Sequence, residues 1–416
     1  MKSISKLLIV IAFLSILSAC SETTSNNNNG NDPGTSYDYT LVETGQVECY
    51  NSDGEVIDVP VKGEPFFGQD ANYLSGADFS FVDNDNETVT DTNTGLMWQK
   101  IPDSDGFSYQ NAVEYCENLE LAGYNDWRVP SLKELFLISD FSIGWPYLDI
   151  NYFVLATGQI TKDEQYWSSN EYVGVTVEGG EDAVFGVNHV TGHIKAYPGV
   201  QGPPPEQNEN ELSPGMRNMN SDNNRDENRP PDPFSKQVRA VRGNVYGTNE
   251  FVDNSDGTIT DNATGLMWSQ IDNTEGIDWE NALSYAENSE YAGFTDWRLP
   301  NVKELQSIVD YSYAPGASDP ALDRAAIDPL FTCTQIINEA GDDDYPYYWT
   351  STSALFESGG AYYYAWYVAF GMAVNAEGQD FHGAGAVRFD TKVEGGPAGE
   401  GGERYYNYVR LVRNVN

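Results

Sequence analysis

The stretch Thr94-Gly-Leu-Met-Trp98 through Trp127-Arg-Val-Pro-Ser-Leu-Lys-Glu-Leu135 occurs twice. It returns as Thr264-Gly-Leu-Met-Trp268 through Trp297-Arg-Leu-Pro-Asn-Val-Lys-Glu-Leu305. Thr264 lies 170 positions after Thr94, and Leu305 lies 170 after Leu135, so no residue is gained or lost between the copies. About half of the positions from Phe81 to Ser142 match their partners in Phe251 to Ser312. Self-similarity of this kind marks one folding unit used twice. The period is too long for a solenoid and fits two tandem domains.

Local chemistry within each copy specifies a short series of elements. Asn254-Ser-Asp-Gly257 reads as a tight turn between two strands, with Gly supplying the positive φ; Glu87 stands at the matching place in the first copy. Thr94–Trp98 and Thr264–Trp268 read as core strands. Tyr109, Ala112, Val113 and Cys116 then fall at helical spacing, as do Trp279, Ala282, Leu283 and Ala286. Ser108 and Asp278 suit the N-cap, and Gly123 and Gly293 the C-terminal end. A second helix follows Pro130 and Pro300. Ser131-Leu-Lys-Glu134 is a capping box, and Asn301-Val-Lys-Glu304 keeps its logic.

Between the helices, Asp126-Trp127-Arg128 and Asp296-Trp297-Arg298 read as an Arg clamped by a nearby carboxylate with its stem on an aromatic ring. Trp98, Trp127, Arg128 and Glu134, with Trp268, Trp297, Arg298 and Glu304, are therefore expected to hold the fold rather than a ligand. Tyr166-Trp-Ser-Ser169 and Tyr348-Trp-Thr-Ser351 read as strands. Each copy closes on Val-Arg-x-Val-Arg (Val238–Arg242 and Val409–Arg413), whose Arg residues fall three apart and cannot share one strand face without a bend.

Lys2 and Lys6 precede an apolar run, Leu7 to Leu17, that ends in Leu-Ser-Ala-Cys20. A basic start, an apolar core shorter than a membrane span and small residues before Cys describe an export signal of the bacterial lipoprotein kind. The expected organisation is a signal peptide over 1–19 and lipidated Cys20 with a flexible tether over 20–38. An N-terminal hairpin extension over 39–80 and a first domain over 81–243 follow. A Pro/Asn-rich insertion at 201–233 interrupts that domain, and a second domain spans 251–416. Ser21 favours the outer membrane of a Gram-negative cell. Cys49, Cys116 and Cys333 allow one disulfide and one free thiol, and Cys116, aligned with Ala286, reads as a buried thiol.

Acids outnumber bases 64 to 22, for a formal charge of −42. That excludes nucleic acid and anionic lipid surfaces as partners, and disfavours polyanionic glycans unless a local basic patch overrides it. Calcium is the sharper reading of the acids, but Asp83, Asp85 and Asp91, or Asp253, Asp256 and Asp261, do not follow the EF-hand order, and turn chemistry explains them better. Of the three His, His189 and His193 stand i, i+4 in a strand-like segment without a counterpart in the second copy. No Ser/His/Asp arrangement or phosphate loop is present in the sequence. In Tyr362–Phe370, alternation sets Tyr362, Tyr364 and Trp366 on one face and Tyr367 on the other, so one face is core and the other a candidate aromatic platform for a sugar or peptide.

Thr-Gly-Leu-Met-Trp, Asp-Trp-Arg-x-Pro-x-x-Lys-Glu-Leu, Tyr-Trp-[Ser/Thr]-Ser and the closing Val-Arg-x-Val-Arg, in that order, resemble the Lcl C-terminal domain family. This family is named after a collagen-like adhesin. The order of helices and strands is also similar to the C-type-lectin-like fold. The resemblance implies a surface-exposed, non-catalytic binding domain, with glycosaminoglycans as the ligand in one branch; no collagen-like stalk is present here. The expected fold is α+β: two tandem C-type-lectin-like domains, each with two short helices and a mainly antiparallel, twisted sheet. The expected function is a cell-envelope lipoprotein that recognises a glycan or protein ligand without a cofactor. The alternatives are a structural or assembly lipoprotein and a carboxylate-dependent glycan hydrolase.

Overall fold

The computed structural model describes residues 37–103, 106–199, 234–397 and 404–415. The signal segment, Cys20, nearly all of its tether and the 201–233 insertion lie outside the described residues. An N-terminal extension carries β1 (Cys49–Tyr50), β2 (Val56–Ile57) and a single helical turn, α1 (Asp70–Tyr73). The first copy follows with β3 (Phe81–Asp83), β4 (Thr88–Asp91), β5 (Met97–Gln99), α2 (Tyr109–Glu117), α3 (Leu132–Leu137), β6 (Gln165–Glu171), β7 (Ala183–Asn188), β8 (Ile194–Pro198) and β9 (Val241–Arg242). The second copy begins with β10 (Phe251–Asp253), β11 (Thr258–Asp261), β12 (Leu266–Ser269), α4 (Trp279–Glu287) and α5 (Val302–Ser307). A small hairpin, β13 (Ile336–Ile337) and β14 (Asp343–Asp344), precedes its last strands, β15 (Tyr347–Ala354), β16 (Tyr364–Ala369), β17 (Val387–Thr391) and β18 (Val412–Asn414). The described chain is thus mostly sheet, with short helices and antiparallel ladders throughout its sheets.

Each copy opens with the same four-stranded sheet, β3-β4-β5-β9 and β10-β11-β12-β18, with Phe81 opposite Asp91 and Phe251 opposite Asp261. Glu87 adopts φ 68° where Gly257 takes 91°, so the first copy holds a side chain in the left-handed region that glycine occupies without strain. The core strands start later than expected, at Met97 and Leu266. Thr94 and Thr264 instead close a turn by donating from Oγ1 to Asp91 and Asp261.

The helices obey their caps. Ser108 and Asp278 accept from the backbone N–H of Asn111 and Asn281, and both capping boxes close at Glu134 and Glu304. Their C-terminal ends differ from the sequence expectation: α2 and α4 stop at Asn118 and Asn288, and Gly123 and Gly293 serve the following turn, at φ 80° and 82°.

The two copies meet in one six-stranded sheet of order β15-β16-β17-β8-β7-β6. Equivalent strands occupy mirrored places, and the two inner strands join antiparallel with Val387 opposite Ile194. Side-chain alternation divides the sheet's two faces. On one face, Tyr166, Phe185, Val187 and Ile194 of the first copy share a single core with Tyr348, Trp366, Val387 and Phe389 of the second, closed by residues of α3 and α5. On the other face each copy keeps its own smaller core: Trp167, Val184 and Tyr197 under α2 and Trp127, and Trp349, Tyr347 and Tyr367 under α4 and Trp297. The described residues consequently form one compact unit.

The N-terminal extension is shorter in strand than the sequence suggests, and it packs on the second copy. Gln46 exchanges hydrogen bonds with the Ser353 backbone, Ser75 donates to Glu304, and Thr352 donates to Asp70. Cys49, Cys116 and Cys333 are separate thiols, and burial pushes the Cys116 thiol up to about 12.

Candidate functional site

The repeated polar residues are consumed by the fold. Arg128 donates to both carboxylate oxygens of Glu134 at 2.6 and 2.7 Å, and Arg298 does the same to Glu304 at 2.6 Å on each. Each Glu also accepts from the backbone N–H of its cap residue, Ser131 or Asn301. Burial would raise the Glu304 carboxyl, but the Arg298 charge and hydrogen bonds outweigh it and hold its pKa below the usual range. Arg242 and Arg413 fork onto Asp126 and Asp296, while Arg239 and Arg410 turn inward. The inward pair donate to the carbonyls of Gln99, Lys100 and Val154, and of Ser269, Gln270 and Thr332. Thus the two Arg residues of each closing strand do point apart. Trp127 and Trp297 occupy like surroundings, each donating from Nε1 to the carbonyl six residues before it, Leu121 or Tyr291. Trp98 and Trp268 are fully buried.

The aromatic platform expected at Tyr362, Tyr364, Trp366 and Tyr367 is not formed. Strand β16 lies between β15 and β17 with both faces covered, so Tyr364 and Trp366 enter the shared core and Tyr367 stacks on Tyr347 with ring centroids 4.4 Å apart. Tyr362 is half-buried and stacks on Tyr50 of the extension at 3.9 Å. A strand flanked on both edges and packed on both faces has no aromatic surface left to offer.

The acidic turns likewise spend their oxygens locally. Asp83 and Asp253 accept from the backbone N–H groups of Asp85 and Ser255, and Asp91 accepts from Asn93 and Thr94. Among the described residues no group of three or more His, Cys, Asp or Glu side chains converges. His189 is sealed against Tyr166, and burial depresses its pKa well below the usual value.

What the seam between the copies does create is a cleft of 470 Å³. It opens on the face of the six-stranded sheet that carries the two separate cores, and Tyr197 of the first copy's core lines it. Lys195 and Tyr197 enter it from β8, Arg388 from β17, and Asn375, Glu377 and Phe381 from the segment before β17. Lys162 and His193 line it from the first copy and His382 from the second. Lys195 lies 3.3 Å from Glu178 and holds its ammonium 4.2 Å from the centre of the Phe381 ring. Burial, reinforced by Arg388, Lys195 and His193, keeps the His382 pKa well below that of a free imidazole, so this ring is neutral at pH 7.

Across the whole chain acids dominate 64 to 22, yet Lys162, Lys195 and Arg388 line this cleft with Glu377 as the carboxylate among its lining residues. None of these three cations is without a partner, and Asn188 already donates to the Lys162 carbonyl, so the cleft is a concave polar site lined by both copies. Sequence reasoning missed it. A signal was present in Ile194-Lys-Ala-Tyr-Pro198 and Val387-Arg-Phe-Asp-Thr391, where cations alternate with core residues. That the two strands are neighbours could not be read from either.

The sequence model of the Lcl C-terminal domain matches residues 87–202 and 257–413. The chain therefore belongs to the Lcl C-terminal domain family, in two tandem copies. No curated protein and no solved structure matches it.

Proposed function

We propose that this protein is a non-catalytic binding protein of the cell envelope, anchored in the outer membrane of a Gram-negative bacterium through lipidated Cys20. Its ligand, a glycan or a protein partner, is taken up in the cleft between two lectin-like copies. The cleft carries the reading: it is a concave site of ligand size lined by both copies. Family membership supports a surface adhesin-like role, and the Lys2, Lys6, Leu7–Leu17 and Cys20 pattern supports the anchor. Binding needs no cofactor.

A glycan array probed with the purified chain, with calcium and with chelator, tests the reading. Binding is expected in both conditions and is expected to fall in Lys162→Gln/Lys195→Gln. Signal in neither condition would remove the recognition role. Incorporation of labelled fatty acid that survives Cys20→Ser would remove the anchor.

A further inference from the structure

We propose that the open edge of the β1–β2 hairpin receives an extended, basic segment of another protein as an added strand, at a place separate from the cleft. The hairpin has two edges, and the fold treats them differently. Beside β1, the Gln69 side chain does what a third strand would do. Its Oε1 accepts from the Tyr50 N–H at 2.9 Å, and its Nε2 donates to the Tyr50 carbonyl at 3.1 Å. Beside β2, nothing among the described residues plays that part. The Asn51 N–H donates to the Glu55 carbonyl, and Cys49 stands opposite Ile57. This register turns the Ile57 backbone toward β1 and the N–H and carbonyl groups of Val56 and Asp58 outward. Pro60, which has no N–H and whose carbonyl accepts from Asn72 Nδ2 at 2.8 Å, ends the open stretch.

Charge and side chains decide what fits. Glu48, Asp53, Glu55, Asp58 and Glu64 are exposed around this edge, and Lys62 is the one base from Val47 to Glu64. Lys62 lies 4.0 Å from Glu287, and among the described residues no cation forms an ion pair with Asp53, Glu55 or Asp58. Val56, Val59 and Val61 are each half or more exposed, and Val59 and Val61 follow Ile57 at the two-residue spacing of one strand face. A strand that alternates apolar residues with Lys or Arg would cover the valines, set cations among the acids and complete the backbone ladder. A second copy of this chain suits the edge less, because two β2 strands side by side would bring Glu55 and Asp58 of one against those of the other. The same acids repel an anionic membrane surface. The hairpin is held before any partner arrives: Tyr50 stacks on Tyr362, and the Gly54 carbonyl accepts from the Tyr362 N–H at 3.1 Å. Binding therefore does not have to order it.

The test is titration of a fluorescent octapeptide of alternating Val and Lys with the full chain, read by anisotropy and by amide hydrogen exchange. The peptide is expected to bind and to slow exchange at the Val56 and Asp58 amides. Its fully N-methylated form keeps the charges and loses every backbone donor, and is expected to bind at least about tenfold more weakly. Glu55→Lys/Asp58→Lys, a change of two exposed side chains, should weaken the peptide at least about tenfold while the circular dichroism melt stays put. Glu117→Lys/Glu120→Lys alters net charge equally at exposed positions of the first copy and should leave binding nearly unchanged. Equal loss in both variants, or equal binding by the N-methylated peptide, means general attraction to an acidic chain and overturns the proposal. Slowed exchange that misses Val56 and Asp58 overturns it as well, and so does absence of binding. Dimerisation of the chain that protects the same amides without peptide overturns the basic partner and gives the edge to a second copy.

Discussion

Ile194 and Val387 face each other across the antiparallel ladder that joins the inner strands of the two copies, and neither side chain is exposed to solvent. Equivalent strands joined in this way are what a twofold symmetric dimer makes at its interface. Here one chain supplies both halves, so the interface forms without the cost of bringing two molecules together. The same junction carries the cleft, which Lys195 and Tyr197 of β8 and Arg388 of β17 line.

Because both copies build one shared core, they should unfold together. Ile194→Ala is expected to cost about 2–5 kcal/mol, as deletion of buried methyl groups does. Urea unfolding followed by tryptophan fluorescence and by far-ultraviolet circular dichroism should show one coincident transition, shifted to lower urea. Two separable transitions would mean that the copies are independent.

The Arg–Glu clamp is repeated, but its two instances are not equally deep. The Arg298 side chain is 6% exposed and that of Arg128 is 33% exposed, whereas Glu134 and Glu304 are both buried. Glu304→Gln should strand a buried guanidinium and cost about 3–5 kcal/mol. Glu134→Gln leaves Arg128 able to reach water and should cost less, about 1–3 kcal/mol. Denaturant midpoints of the two variants would reverse in order if burial did not set the cost.

Asp70 ties the extension to the second copy by accepting from Thr44 and Thr352, and burial raises its carboxyl to about 6. A folded pKa above the unfolded value means that the folded state binds the proton more tightly. Stability from this group is therefore full below about pH 4 and is lost as pH rises towards 6. Asp70→Asn keeps an oxygen for the two hydroxyls and removes the titration. Its melting temperature relative to the parent should climb between pH 4 and 6 and level off above. A difference that is flat across that range would show that Asp70 titrates normally.

Trp366 meets Phe141 and Tyr147 edge-on, with ring centroids 5.4 Å away in each case. Trp366→Ala is expected to cost about 3–5 kcal/mol, through the cavity it leaves. Any loss of ligand binding in that variant should follow the unfolded fraction measured by melting. A binding defect in fully folded Trp366→Ala protein would put this ring at the ligand.

The helices and their caps were legible because they depend on a few consecutive residues. Ser108, Asp278 and the two capping boxes each solve a local problem, unpaired N–H groups at a helix start, and the solution travels with the motif. The structural reading of Trp127, Arg128 and Glu134 was legible for the same reason, since Glu134 lies six residues beyond Arg128. Gly123 and Gly293 misled, because a glycine near a helix end can equally serve the next turn. Tyr362–Phe370 misled more deeply. Alternation separates the faces of a strand, but it cannot tell a face open to solvent from one covered by another layer.

From residue order alone came a duplicated unit, its helices with their first residues, and the ion pairs that close within a motif, all of which are settled by neighbours a few positions apart. The joining of β8 to β17, the packing of the N-terminal extension on the second copy, and the gathering of Lys162, Lys195 and Arg388 into one cleft were settled by folding. Burial and proximity across copies belong to pairs of surfaces, and each surface acquires them only when the other arrives.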